Sequence, residues 1–238
     1  MKIKAKLISN FGDNYLICDL RVPYAAAELQ NIILQYKGTH LVFLHSICHC
    51  DAMIRNYEFG FDHISISAGA LLCTAKYLFD ICSAGTVHII TADAIKCPVM
   101  VKEKRITAEL PLPAYDRDDF VLYKEIKYDG KRFYMAEVVI GYPHAVLFCE
   151  DIQTFPFART AAELRNLGLI SHDVNFVAAQ VTDPARVIIR TYYNQFRELS
   201  ASGNAAVAAA IAAVQNDMIN RTVHVQCSDG CYTVYIPS

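Results

Sequence analysis

The chain has 238 residues, of which 54% are hydrophobic and 19% are charged, and its formal net charge is -2. This is the composition of a globular protein with ample material for a core, and a charge so close to zero speaks against a nucleic-acid partner. The first residues alternate like a strand and lack the apolar centre of a secretory signal, and no apolar run is suited to span a bilayer. We therefore expect a cytoplasmic protein with no membrane partner.

The chain begins with two predicted strands, KIKAKLIS and NYLICDL, joined by a turn led by Gly12. The nine cysteines are an odd number and lie mostly in apolar runs, so buried thiols are expected rather than a disulfide framework. The cysteines on which this expectation rests are Cys18, Cys73, Cys82 and Cys149.

The segment HSICHCD has the residue types of a metal site. Its candidate ligands are His45, Cys48, His49, Cys50 and Asp51. Successive residues of an extended segment point to opposite faces, so these side chains do not all converge on one ion. We expect no metal and no other cofactor.

The first predicted helix is SAGALLCTAKYLFDIC, which starts at Ser67-Ala68-Gly69 and is apolar nearly all round. A helix without a polar face is surrounded by protein, so this helix is predicted to be buried. Strands within GTVHIITADAIKCPVMVKEKRITAELPLP close the first half of the chain.

The second half repeats this plan. MAEVVI and GYPHAVLFCED form two strands around a glycine turn, SASGNAAVAAAIAAVQND contains a buried helix over 205–214, and RTVHVQCSDGCYTVYIPS supplies closing strands. The segment PAYDRDDF lies between the halves and predicts two similar α+β domains, residues 1–115 and 116–238.

Both predicted helices begin at a serine and glycine step. The first N–H groups of a helix have no partner inside it and carry a partial positive charge. They are satisfied either by capping side chains such as Ser202 and Asn204 or by an anionic ligand. We expect an anion between the two entrances, bound at Ala68-Gly69 or Gly203-Asn204.

The order of several motifs resembles the diaminopimelate epimerase family over nearly the whole chain. The motifs are FGDNYLICD, MIRNYEFG, SISAGALLC, GYPHAVLF, HDVNFV, RTYYNQFRELSASGNAAVAAAIAAV and SDGCYTVYIP. The resemblance implies two pseudo-symmetric domains, each a strand barrel around a buried central helix. It also implies cofactor-independent inversion at an α-carbon by one cysteine at each helix entrance.

Neither cysteine position holds a cysteine in this chain. Ser202 stands at the second position, and the first falls at Ile66 without a gap or at Ser65 or Ser67 with a shift of one residue. We take Ser67 and Ser202 as the candidate catalytic residues. The resemblance implies substrate-binding roles for Asn14, Asn56, Ala68, Gly69, Tyr142, His144, Asp173, Tyr193, Asn194, Gly203 and Asn204.

Several of these positions depart from the epimerase pattern, including Tyr142, Asp173, Tyr193 and Asn194, so we expect a substrate other than diaminopimelate. A serine hydroxyl is no base unaided, and His63 and His144 are candidates for an adjacent one. Two functions stay open. One is an isomerase, of the amino-acid racemase or epimerase kind, that acts on a small carboxylate or amino acid. The other is a non-catalytic small-molecule binding or accessory protein, and a homodimer is compatible with either.

Overall fold

The computed structural model describes residues 3–21, 23–36, 39–48, 51–58, 62–64, 66–83, 85–103, 105–111, 122–128, 130–193 and 197–237. The chain divides into two compact units, residues 1–111 and 112–238. The predicted boundary between residues 115 and 116 falls in the part of the chain that is not described, so it stays a prediction.

The described part of unit 1 forms one eight-stranded sheet and two helices. The strands are β1 (Lys4–Asn10), β2 (Asp13–Asp19), β3 (His40–Cys48), β4 (Asp51–Glu58), β5 (Asp62–Ile64), β6 (Thr86–Ile90), β7 (Lys96–Lys102) and β8 (Arg105–Ala108), and the helices are α1 (Ala26–Gln35) and α2 (Ala68–Cys82). The sheet order is β1-β2-β3-β4-β6-β7-β8, with β5 on β4. Strands β2 and β3 and strands β4 and β6 are parallel because a helix crosses over between the members of each pair.

The described part of unit 2 has the same kind of sheet. Its strands are β9 (Leu122–Tyr128), β10 (Lys131–Ile140), β11 (Tyr142–Phe148), β12 (Asn175–Asp183), β13 (Arg186–Tyr193), β14 (Arg197–Leu199), β15 (Thr222–Gln226) and β16 (Cys231–Tyr235), and its helices are α3 (Phe157–Asn166) and α4 (Gly203–Gln215). The sheet order is β16-β15-β13-β12-β11-β10-β9, with β14 on β13.

The two units repeat one topology. Strands β1 to β7 correspond in order and pairing direction to β10 to β16, and helices α1 and α2 correspond to α3 and α4. The additional strand is β8 in unit 1 and β9 in unit 2, at opposite ends of the repeated sheet. The predicted α+β fold of two pseudo-symmetric domains is confirmed.

Each sheet wraps around one buried helix, as predicted. Helix α2 contacts both β1 and β8 at the two ends of its sheet, and α4 contacts strands from β10 to β16. Ten of the 13 residues of α4 are buried, because alanine side chains let the strands approach the helix backbone closely. No helix among the described residues is long and apolar enough to cross a membrane.

The sequence analysis missed two helices, α1 and α3. They lie on the outer faces of the sheets, where α1 packs through half-buried residues such as Leu29 and Ile32. Neither helix has a side-chain cap at its start, since Ala25 and Pro156 precede them, so the usual start signal is absent. The sequence analysis placed only the buried central helix of each half, which α2 and α4 confirm, and it left out the outer helix.

The prediction for the thiols was right in part. Cys18 and Cys73 are buried and Cys149 is half-buried, but Cys82 is exposed at the end of α2, where its Sγ donates to the Leu78 carbonyl. The seven cysteines whose side chains are described are free thiols.

Candidate functional site

Both central helices begin in the same way. Ser67 Oγ accepts a hydrogen bond from the backbone N–H of Ala70 at 3.3 Å, and Ser202 Oγ accepts one from Ala205 at 3.2 Å. Each serine is the N-cap of its helix, with extended backbone. The repeated topology thus pairs Ser67 with Ser202, while the alternative Ser65 lies outside the described residues.

Tyr15 occupies the space beside the first turn of α2. A Cβ added to Gly69 would lie 1.9 Å from the Tyr15 hydroxyl oxygen, so only glycine allows the phenol to come this close. The Tyr15 ring stacks on the ring of His40, with 4.5 Å between the centroids and 12° between the planes. The glycine expected to admit a ligand oxygen therefore accommodates a side chain of the same unit.

A narrow pocket adjoins this entrance and has no room for a water molecule. It is lined by Tyr15, His40, Leu41, Val42, Asn56, Tyr57, Ser67 and Ala70. The structure thus brings together Asn56 and Ser67, two predicted site residues, and adds Tyr15 and His40, which the sequence analysis did not select.

Asn14 does not join this group. Side chains alternate along β2, so that Tyr15 and Ile17 pack on the α2 side, while Leu16 and Cys18 pack on the opposite side. Asn14 is exposed and its neighbour Asp13 is buried. Asp13 and Asp19 are thus the buried polar residues on the α2 face of β2, positions that the alternation of β2 would have indicated.

The entrance of α4 is tied to the turn between β10 and β11. Asn204 Nδ2 donates to the Ile140 carbonyl at 2.9 Å, next to Gly141, whose φ of 69° places it in the left-handed region. The ring of Tyr142, on the other side of this turn, meets the ring of Tyr193 edge to face at 6.1 Å. The structure therefore gathers Tyr142, Tyr193 and Asn204 near the start of α4.

His144 is fully buried in the same unit. Its Nδ1 lies 2.7 Å from the Tyr142 carbonyl, which only accepts, so Nδ1 carries the proton. Burial lowers the pKa of His144 to about 4, although the backbone carbonyls of Tyr142 and Val138 oppose this shift. The ring is thus neutral at physiological pH. Asn175, which was not selected, pairs with His144 across β11 and β12.

The other predicted site residues either do not join these groups or lie outside the described residues. Asp173 is exposed, and a hydrogen bond with Ser171 lowers the pKa of its carboxyl group. Asn194 lies outside the described residues. Arg190 forms a two-point ion pair with Glu198 at 2.7 and 2.9 Å.

The described residues offer neither a thiol base nor a metal site at the entrances. Cys73 lies inside α2, where burial raises the pKa of its thiol to about 12, with a further contribution from Asp13. Within the described ranges, no three His, Cys, Asp or Glu side chains are grouped to hold a metal ion. Part of HSICHCD, residues 49 and 50, lies outside them.

Comparisons with known proteins agree with this architecture, although no protein-family model matches the chain. The chain is 22% identical to the diaminopimelate epimerase of Nitrosospira multiformis, over 97% of this chain and 89% of that protein. It is 32% identical over 148 residues to the O-ureido-serine racemase of Streptomyces lavendulae, which is 62% of this chain and 51% of that protein. A PhzF-family phenazine biosynthesis protein from Enterococcus faecalis has the same fold, with a TM-score of 0.67, 18% identity and coverage of 99% of this chain and 90% of that one.

Two repeated units, each folded around a serine-capped buried helix, define a fold shared with epimerases and racemases. These similarities confirm the predicted resemblance to the diaminopimelate epimerase family.

Proposed function

We propose that the protein is a cofactor-independent isomerase that moves a proton at the α-carbon of a small carboxylate other than diaminopimelate. The observation that carries the proposal is the duplication of one helix entrance. Ser67 and Ser202 occupy the same capping position in the two units. This is expected if each unit supplies one group, one to remove the proton and the other to return it to the opposite face of the α-carbon. The relatives named epimerase and racemase support this reaction class.

A serine needs an adjacent base to exchange a proton, because an unassisted hydroxyl is too weakly acidic. In unit 1 the imidazole of His40 lines the same narrow pocket as Ser67. In unit 2 the buried His144 is neutral, since its pKa is about 4, and a neutral imidazole has the lone pair that a base requires. His40 therefore supports a role for Ser67 in proton transfer, whereas the low pKa of His144 makes it a weak base in unit 2.

The residues around α4 support a substrate other than diaminopimelate. The edge-to-face pair of Tyr142 and Tyr193 presents an aromatic surface beside Asn204. Such a surface suits an apolar substrate side chain better than a second charged amino-acid group, whose desolvation it would not repay.

Hydrogen exchange at the α-carbon tests the reaction directly. The protein is incubated with a mixture of amino acids in heavy water, and α-deuteration is measured by mass spectrometry. We expect deuterium in at least one amino acid with the unaltered protein, and none with a Ser67→Ala, Ser202→Ala double variant prepared in the same way. Exchange that persists in the double variant contradicts the assignment to these serines.

A second candidate is a non-catalytic small-molecule binding protein. It is favoured by the fact that both serine hydroxyls already accept a hydrogen bond from their own helix. No exchange by the unaltered protein, together with measurable binding of a carboxylate, would establish this candidate and exclude the isomerase.

A further inference from the structure

The two units differ towards the C-terminal end of the central helix, far along the helix from its capping serine. In unit 1, Asp19 at the end of β2 is buried and accepts a hydrogen bond from the Tyr77 hydroxyl of α2 at 3.3 Å. The same carboxylate forms a two-point ion pair with Arg21. A polar network therefore joins α2 to the end of β2 in unit 1.

The repeat places different residues at the same positions of unit 2. The parallel ladder of β2 with β3 and that of β11 with β12 have the same length, and the last residues of β2 and β11 in these ladders are Asp19 and Phe148. Tyr77 and Ala212 follow their capping serines at the same distance along the chain. Unit 2 thus has a phenyl ring and a methyl group where unit 1 has a carboxylate and a phenol, so it cannot form the same network.

A cavity of about 360 Å³ lies in this part of unit 2. It is lined by Arg132, Phe133, Tyr134, Phe148, Asn216 and Met218. Asn216 is the C-cap of α4, so the cavity lies at the end of the helix and not at the entrance capped by Ser202. A volume above about 300 Å³ is typical of pockets for small molecules, and this one suits a molecule with one or two rings.

The wall of the cavity on the side of the sheet is aromatic. Phe133 and Leu147 pack in the cluster around α3, so alternation along β10 and β11 directs their neighbours Tyr134 and Phe148 towards α4. At the rim, Tyr134 is 63% exposed and Met218 is 38% exposed. A ligand ring that covers these two side chains would remove apolar surface from water and gain aromatic contacts.

Arg132 brings a positive charge to the lining of the cavity. Its Nη1 lies 3.3 Å from Glu125 Oε1, and Lys127 is its partner across β9 and β10. An arginine has five N–H donors, so an ion pair with one carboxylate leaves donors for another. The end of α4 carries partial negative charge, and Asp217 follows it, so an acid group is repelled on that side. These charges orient an acidic ligand with its carboxylate towards Arg132 and its ring towards α4.

We propose that this cavity is a binding site for a small aromatic carboxylate. The ring lies between Tyr134, Phe148 and the end of α4, and the carboxylate pairs with Arg132. The inference does not depend on the proposed isomerase, because the residues that line the cavity differ from those at the two helix entrances.

Isothermal titration calorimetry on the full chain tests the site with phenylacetate as the probe. Phenylacetamide has the same ring without the charge, and acetate has the charge without the ring. We expect phenylacetate to bind, and phenylacetamide to bind about fivefold more weakly, as for the loss of an exposed ion pair. Acetate should not displace phenylacetate, even if it binds at the helix entrances.

Two variants assign the binding to this cavity. Arg132→Gln should weaken phenylacetate about fivefold and leave phenylacetamide unchanged, whereas Tyr134→Ala should weaken both about tenfold because it removes a ring contact. Both side chains are exposed, so both variants should fold. Arg159→Gln and Tyr235→Ala change exposed residues elsewhere in the same unit and are the matched controls, which should bind as the unaltered protein does.

The Ser67→Ala, Ser202→Ala double variant separates this site from the helix entrances. It should bind phenylacetate as tightly as the unaltered protein, whatever the outcome of the α-deuteration experiment. The inference is overturned if phenylacetate does not bind, if acetate displaces it, or if the double variant loses it. It is also overturned if Arg132→Gln and Tyr134→Ala bind phenylacetate as their matched controls do.

Discussion

The side-chain amide of Asn204 donates to the backbone carbonyl of Ile140, and this bond joins the first turn of α4 to the hairpin of β10 and β11. The two residues are far apart in the sequence, and Asn204 is buried. The bond fixes the helix entrance relative to Gly141 and Tyr142, so it organises the candidate site of unit 2.

Replacement of Asn204 by alanine should therefore destabilise unit 2. We expect a loss of about 1–2 kcal/mol in the free energy of unfolding, because a buried carbonyl loses its partner. Urea denaturation measures this loss. Asn216→Ala is the matched control, since it removes an exposed amide that bonds the Ala212 carbonyl at 2.8 Å. Equal losses in the two variants would contradict a special role for Asn204.

The two serine caps should contribute similarly to stability. Ser67→Ala and Ser202→Ala should each lower the free energy of unfolding by about 1 kcal/mol, because each leaves one N–H of a first helical turn without its cap. Denaturation of the two single variants measures this directly. Ser228→Ala, at an exposed position, should change stability by less than about 0.5 kcal/mol. A cap variant that behaves like Ser228→Ala would show that the cap bond is not formed in solution.

A thiol restored at a helix entrance should be unusually reactive. The variant Ser202→Cys places sulfur at a half-buried helix N-terminus, which favours the thiolate, so the new thiol should ionise below the ordinary pKa of about 8.5. Alkylation by iodoacetamide is followed against pH by peptide mass spectrometry, with the exposed Cys231 as the internal comparison. The same pH dependence at the new thiol and at Cys231 would contradict the prediction.

The buried His144 should make the fold sensitive to mild acid. Its pKa is about 4 in the folded protein against 6.5 ordinarily, so between these pH values the unfolded chain binds the proton more tightly. The stabilisation of the folded state by the neutral His144 is complete above pH 6.5. It falls as the pH is lowered to about 4, by at most about 3 kcal/mol.

Free energies of unfolding measured across this pH range test whether stability falls as the pH is lowered. The decline should be smaller in His144→Asn, while His224→Asn, which removes an exposed imidazole, should leave it unchanged. A decline of the same size in His144→Asn would assign the acid sensitivity to other groups.

The sequence by itself predicted the elements whose signals are local. The starts of α2 and α4 were found because Ser67 and Ser202 combine a capping side chain with an uninterrupted apolar helix. The paired strands around Gly12 and Gly141 were found because both glycines take a positive φ at a tight turn. The repeat and the resemblance to the epimerase family followed from the order of these elements along the chain.

The tertiary structure alone decided which side chains meet. Tyr15 reaches Gly69 and stacks on His40 because β2 and β3 pair in parallel with these residues in register, and a register between distant segments is not encoded by any local pattern. The same register, together with the alternation of β2, turns Asp13 inward and leaves Asn14 exposed. Residue type had favoured Asn14, but the direction of a side chain on a strand depends on the face that packing buries.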